Sequence, residues 1–427
     1  MKVLLLGSGG REHALAWALS QSPLCDTLYI APGNPGSHAC GVNVALDALD
    51  FEQVLEFIGD KDIGLTVVGP EQPLVAGITD FLEAKGHAVF GPSTIASQLE
   101  GSKQFAKDFM ARHNIPTAAY KVFSGDYYAE ALAYVDAHNQ YPVVLKADGL
   151  AGGKGVLIPE NREELLAGLE ELRTGSLQDA AQTLVIEEFM PGEEASVFAL
   201  CDGEHFEIMG TAQDHKRQLD GDKGPNTGGM GAYSPSPLLA EDMLNSVSET
   251  IIAPTIAGMA AEGNPYKGFL YVGLMMTSAG PKVVEYNCRF GDPECQVVIP
   301  RLRSDLLTHL VQSTRGELLG EDIVFDQQYR TTVVLVSGGY PVSYDKGFPI
   351  FGLDELEKVE AVQVFHAGTK EQDGQLCTAG GRVLNVVGTG PTLQESISTT
   401  YKGLESISFE GMFYRKDIGA KGLNHVS

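Results

Sequence analysis

The sequence predicts a multidomain protein of mixed α/β and α+β class, with an N-terminal doubly wound parallel sheet and a small C-terminal αβ domain. Three observations predict it. Residues 1–100 alternate short apolar runs with helical periodicity, as in a parallel sheet covered on both faces. A glycine-rich stretch, KADGLAGGKGV at 146–156, has strand patterns on both sides. A last αβ segment opens on the strand pattern RTTVVLV at 330–336.

In the first segment, strands are expected at 3–6, 27–30, 64–68 and 87–90, and helices at 13–20, 51–58 and 74–85. Such sheets bind ligands at the C-terminal ends of their strands. Three of those ends carry turn-rich loops: GSGGREH at 7–13, APGNPG at 31–36 and GPEQP at 69–73. The first is not a dinucleotide fingerprint. Gly7 and Gly9 require a glycine at position 12, where Glu12 stands, and Ile30 is followed by Ala31 and Pro32 instead of an acidic residue. A phosphate or ribose resting on the helix N-terminus near Gly9 and Gly10 and an unliganded tight turn are both open readings. Residues 101–121 read as a connecting helix and a proline-broken linker. A lobe at 122–190 holds the glycine-rich hairpin and a helix at 162–173, a long central block covers 191–325, and 326–427 form the last domain.

The chain has 427 residues, enough for about three domains, each with its own core. Its formal charge of −26 argues against nucleic acid as a partner, because that binding needs clustered basic surface. Any phosphate site must therefore gather lysines, arginines and backbone N–H groups locally. The longest apolar runs are strand-length, short of the ~20 residues of a membrane span. The start, MKVLLLG, reads as a first strand and not as a signal peptide. The six cysteines (25, 40, 201, 288, 295 and 377) include no C-x-x-C pair, which points to neither a zinc site nor a disulfide framework and fits a cytoplasmic protein.

The glycine-rich run looks like a phosphate loop but is not a P-loop. Asp148 stands where the first glycine of that motif belongs, and Gly155 follows Lys154 where a metal-binding hydroxyl belongs. It reads as a hairpin flap. Residues 283–289 read as a strand whose period of two puts Glu285, Asn287 and Arg289 on one face. A carboxylate and an amide oxygen so placed suit magnesium, and a neighbouring arginine suits phosphoryl transfer. A strand ending at Glu187 and Glu188 leads through Phe189, Met190 and a Pro-Gly turn to Glu193 and Glu194. Residues 214–235, DHKRQLDGDKGPNTGGMGAYSP, read as a long substrate-ordered loop. Lys103 falls at a helix start where a phosphate can dock. Taken singly, each stretch also fits an unliganded surface.

Together these stretches resemble the ATP-grasp ligases, and within them the phosphoribosylamine–glycine ligase family in its monofunctional bacterial form. The resemblance is carried by GSGGREHALAW at 7–17, GPEQPLVAG at 69–77, LEGSKQFAKDFM at 99–110, the flap, the 214–235 stretch and GFLYVGLM at 268–275. It continues through EYNCRFGDPE at 285–294, SGGYP at 337–341, FHAGT at 365–369, TAGGRVL at 378–384 and YRKDIG at 414–419. It implies an ATP-grasp two-lobe core at 122–325 and joining of glycine to 5-phosphoribosylamine through glycyl phosphate, the second step of purine synthesis. By the same similarity Lys103, Lys146 and the flap residues Gly152, Gly153, Lys154 and Gly155 hold ATP phosphates. Glu187, Glu188, Phe189 and Met190 border the adenine, with Glu194 at the ribose. Glu285 and Asn287 hold magnesium or manganese, and Arg289 stabilises the transferring phosphoryl group. Gly10, Arg11, Glu71, Asp292 and Arg382 shape the phosphoribosylamine site, and Asp214 and Lys216 order the glycine end. A monomer without nucleic acid or membrane partners is expected. The sequence departs from the family pattern at Cys295, where threonine is usual, and at Gly152, where alanine is usual. The strand before Glu285 carries no second acidic metal ligand, which leaves water and ATP oxygens for the remaining positions.

Overall fold

The computed structural model describes residues 1–150, 155–174, 182–318, 323–356 and 359–426. Lys2–Gly7 (β1), Thr27–Pro32 (β2), Val42–Asn43 (β3), Leu65–Val68 (β4) and Val89–Phe90 (β5) form a parallel sheet in the order β3-β2-β1-β4-β5. The strand order reverses between β1 and β4, so their following loops diverge and leave a crevice there. β1 is buried on both sides: Leu4 and Leu6 enter one core, Val3 and Leu5 the other. The four expected strands are all present, and the two-residue β3 was too short to show a pattern. Helix Gly10–Leu19 starts three residues earlier than expected, because the Glu12 carboxylate accepts the Gly9 N–H (2.7 Å) and closes the first turn. The helix expected at 74–85 is two helices, Glu71–Ala76 and Ile78–Glu83. Gly77 between them has φ of 98°, a left-handed conformation that ends the first.

A separate lobe follows. Tyr120–Ser124 (β6), Val143–Ala147 (β7), Val156–Leu157 (β8) and Thr183–Glu188 (β9) form an antiparallel sheet in the order β6-β9-β7-β8. Helices Tyr128–His138 and Arg162–Thr174 share a core with it, built from Leu145, Ile186, Leu165, Leu169 and Leu172. The glycine-rich run joins the paired strands β7 and β8, as its flanking patterns predict.

The largest sheet is antiparallel and joins the central block to the last domain. Glu193–Asp202 (β10) and Phe206–Asp214 (β11) are followed by a small ribbon, Arg217–Leu219 (β12) with Lys223–Asn226 (β13), and then by Gly231–Ser234 (β14). Lys267–Thr277 (β15), Gly280–Asn287 (β16), Tyr329–Val336 (β17) and Val362–His366 (β18) come next. A hairpin of Thr369–Gln372 (β19) and Gln375–Thr378 (β20) precedes Arg382–Gly390 (β21). Eight of these strands line up as β16-β15-β10-β11-β14-β17-β21-β18. The sheet crosses residue 326 through the β14–β17 ladder, Gly231 opposite Val333 to Ser234 opposite Arg330.

The stretch at 214–235 is therefore not the structureless loop expected. Arg415 is fully buried and donates to Asp417 (2.7 Å), to Asp222 (2.9 Å) and to the Arg217 carbonyl (3.0 Å), which fastens the β12–β13 ribbon to the C-terminal segment. Among the described residues no helix is long and apolar enough to cross a membrane.

Candidate active site

The crevice beside β1 and β4, the inner edge of the β6–β9 lobe and the strands β10, β11 and β16 enclose a cavity of about 900 Å3. One wall is lysine-rich. Helix Lys103–Arg112 is capped by Ser102, whose hydroxyl accepts the Phe105 N–H (3.1 Å), and by Asp148 from the root of the flap. The Asp148 carboxylate accepts the N–H groups of Lys103 (2.5 Å) and Gln104 (3.2 Å). The Lys103 ammonium donates to the Gly149 carbonyl (2.9 Å), and burial lowers its pKa. One turn further, Lys107 lies 3.0 Å from one oxygen of Glu187. Lys146, from β7, lies 2.9 Å from the other. Lys146 sits off the line of a hydrogen bond to that oxygen and donates to the Val284 carbonyl (3.0 Å). Burial pulls the Lys107 pKa down to about 8, although Glu187 opposes it.

The facing wall is β16. Gly273 pairs with Glu285 and Leu274 with Val283, so Val284 is bulged out of the ladder. The bulge breaks the period of two: Val283 and Tyr286, three residues apart, both enter the core, while Glu285 and Asn287 line the cavity. The Lys216 ammonium stands 3.3 Å from Glu285 and 2.8 Å from Glu194. Glu285 is 39 % exposed, to the inside of the cavity. Lys216 first, then Lys146 and Lys103, outweigh burial and hold its carboxyl at about 2. Asp214 is the opposite case. Burial, with Glu294, Glu194 and Glu285 nearby, pushes it up to about 8 against the pull of Lys216. Burial also raises Glu294, which accepts the Tyr271 hydroxyl (3.1 Å). An ionised carboxylate and an amide two residues apart fit a hard divalent cation that keeps waters and phosphate oxygens. Among the described residues no cluster of three His, Cys, Asp or Glu could hold a metal, in keeping with the carboxylate-free strand β15.

Arginines and acids alternate at the crevice end. Arg289 donates to Glu100 (2.7 Å) and Glu71 (3.2 Å), and Arg11 lies 3.9 Å from the same Glu71 oxygen. Burial works against the Glu71 charge, yet Arg289 and Arg11 hold its carboxyl at about 2. Arg11 also donates to Glu12 (2.5 Å), and the Arg11 N–H reaches Asp292 (3.4 Å). Arg382 lies 3.4 Å from the Asp292 carboxylate and donates to the carbonyls of Gly228 (2.7 Å) and Asp292 (2.6 Å).

Lys103, Lys146, Gly155, Glu187, Glu188, Phe189, Met190 and Glu194 all line the cavity. So do Asp214, Lys216, Glu285, Asn287, Arg289, Asp292, Arg11, Glu71 and Arg382. Gly10 is not on its wall; it opens the helix on the side packed against Asn385 and Gln296, where a Cβ would meet them at 2.4 Å and 2.5 Å. Gly152, Gly153 and Lys154 lie outside the described residues. Arg289 is not on the strand with Glu285. β16 ends at Asn287 because the Cys288 N–H leaves the ladder for Glu100 (2.8 Å), which turns Arg289 toward the crevice acids. Lys107, Glu100, Tyr271 and Glu294 also line the cavity and escaped the sequence reading. The available signal for Lys107 was its spacing of four from Lys103 on one helix face.

Residues 101–295 match the ATP-grasp (A) domain of phosphoribosylglycinamide synthetase, residues 1–100 its N domain and residues 330–421 its C domain. The chain belongs to the phosphoribosylglycinamide synthetase family. A phosphoribosylamine–glycine ligase of Mesorhizobium japonicum is 52% identical over 419 residues, 98% of each chain. One from Escherichia coli O157:H7 is 49% identical over 99% of each. The crystal structure of phosphoribosylamine–glycine ligase from Thermotoga maritima superposes with a TM-score of 0.85 at 36% identity, covering 98% of this chain and 100% of that one. As a family member the chain is a ligase of purine biosynthesis that uses ATP with a divalent metal.

Proposed function

We propose that the chain joins glycine to 5-phosphoribosylamine, with ATP converted to ADP and phosphate, and that the cavity divides the work between its two ends. A carboxylate resists attack by an amine because oxide is a very poor leaving group. Attack of the glycine carboxylate oxygen on the γ-phosphorus expels ADP and gives glycyl phosphate. The ribosylamine nitrogen then attacks the glycyl carbon, phosphate departs, and the nitrogen loses a proton.

The reading gives Lys103, Lys146 and the flap residues Gly152–Gly155 to the ATP phosphates, and residues 187–190 with Glu194 to adenine and ribose. Glu285 and Asn287 would hold magnesium or manganese, which supplies charge neutralisation at the transferring phosphoryl group. Arg289, beside Glu71 and Glu100, adds fixed positive charge on the crevice side of that group. Asp214 and Lys216 order glycine, and Arg11, Glu71, Asp292 and Arg382 take the phosphorylated sugar. In this reading the chain acts as a monomer.

The observation that carries the reading is the convergence of five lysines, the Glu285–Asn287 pair and four arginines on one cavity of an otherwise acidic protein. Phosphate release from ATP should require glycine and phosphoribosylamine together. Release with bicarbonate, or with another amino acid in place of glycine, would redirect the assignment to a different ligase.

A further inference from the structure

We propose that Lys107 is a positioning residue that neutralises Glu187 and so leaves the charge of Lys146 free for the phosphates of a nucleotide. The inference rests on the ATP reading of the cavity. Lys107, Lys146 and Glu187 come from a helix, β7 and β9, and meet in the cavity wall with side-chain exposures of 2 %, 6 % and 2 %. Two ammonium groups and one carboxylate give the buried triad a formal charge of +1. Without Lys107, Glu187 and Lys146 cancel, and the wall offers a polyphosphate no charge at that point.

The geometry distributes the roles. Lys107 is committed to its neighbours: it lies 3.0 Å from Glu187 and donates to the Thr117 hydroxyl (2.8 Å), which in turn donates to the Val283 carbonyl (2.7 Å). Its ammonium also stands 5.9 Å from the Tyr120 ring centre. Lys146 donates to the Val284 carbonyl and stands 2.9 Å from Glu187, so the two ammonium groups share one carboxylate. Lys107, the more deeply buried of the two, thus acts through Glu187, and one of the two positive charges is left unbalanced beside the cavity. The two carbonyls are neighbours on β16, so the same network sets the lysine wall against the strand bearing Glu285.

Calorimetric titration of the full-length chain with ATP and magnesium tests this, with adenosine as the probe lacking phosphate. Lys107→Met should weaken ATP binding by about tenfold or more and leave adenosine binding unchanged. The double variant Lys107→Met with Glu187→Gln restores the formal +1, and its ATP affinity divided by its own adenosine affinity, a ratio that cancels any change at the adenine contact of Glu187, should return to within about threefold of the wild-type ratio. Wild-type ATP affinity in Lys107→Met, or a double variant that binds no better than the single one, would overturn the inference. Where Lys107→Met melts below the assay temperature, the double variant decides alone: a near-wild-type ratio of ATP to adenosine affinity supports the proposal and a tenfold fall in that ratio ends it. Failure of the underlying reading looks different. In that case wild type binds no ATP, or Lys146→Met binds it as tightly as wild type does.

Discussion

Glu285 is kept ionised by the lysines around it, so its charge is present across the working pH range. In the proposed reading its replacement removes a ligand for the cation, and Lys216 keeps Glu194 as a partner. Glu285→Ala should lower turnover at least about a hundredfold and leave a folded protein, at a stability cost of about 1–3 kcal/mol from the lysines that lose their counter-charge. Steady-state rates and a thermal melt check the two halves; wild-type rates would remove Glu285 from the site. Asp214 makes a second residue-scale prediction. Its folded pKa lies above its unfolded value, so between about 4 and 8 the folded state keeps a proton that the unfolded chain has released. Stability from this group is greatest at low pH and falls as pH rises through that window. Asp214→Asn never ionises, so its melting temperature relative to wild type should be higher at pH 8 than at pH 5. A difference that does not change with pH would mean Asp214 titrates normally. Glu285 and Asn287 were legible because a two-residue spacing on a strand survives the bulge before it. Arg289 was misplaced because nothing local to 283–289 announces the pull of Glu100, 189 residues away, on the chain after Asn287.

At the scale of elements, the β12–β13 ribbon shows how charge fixes a segment that its composition leaves open. Glycine, asparagine and aspartate dominate it, and a composition of that kind reads as loop. Its order comes from the Arg415–Asp417–Asp222 group, with the Gly221 N–H donated to Asp417 (2.8 Å) and the Lys416 N–H to Asp220 (2.8 Å). Arg415→Met leaves two acids without their buried partner and should cost about 3 kcal/mol or more. Limited proteolysis should then cut within 217–226 faster than in wild type; unchanged cleavage there would mean the ribbon holds itself. The parallel sheet and the β7–β8 hairpin, by contrast, were readable from short-range pattern alone, since apolar alternation and glycine punctuation are local signals. The split helix at Gly77 was not, because glycine is tolerated inside many helices and only the backbone angle shows that this one ends.

At the scale of the molecule, the first and last segments meet through a buried histidine, His13, and a half-buried one, His366. The His366 N–H donates to His13 Nδ1 (2.8 Å), and burial lowers His13 to about 3 and His366 to about 4. Both folded values lie below the unfolded one. Their contribution to stability is therefore complete above about pH 6.5 and is lost as pH falls from there, by on the order of 2 kcal/mol each at pH 5. Thermal melts from pH 5 to 7 should show a steep acid limb that His13→Gln makes shallower, even if that variant is less stable at pH 7. An equally steep limb in the variant would place the acid sensitivity elsewhere.

The β14–β17 ladder has a consequence for anyone building hybrids between relatives. The border between the second and third family segments is a row of backbone hydrogen bonds running Gly231–Ser234 against Arg330–Val333. A graft that exchanges only the third segment must reproduce the donor's strand offset, since a slip of one residue turns every side chain of β17 to the wrong face. Crossovers that carry residues 231–234 along with 330–421 keep that seam intact.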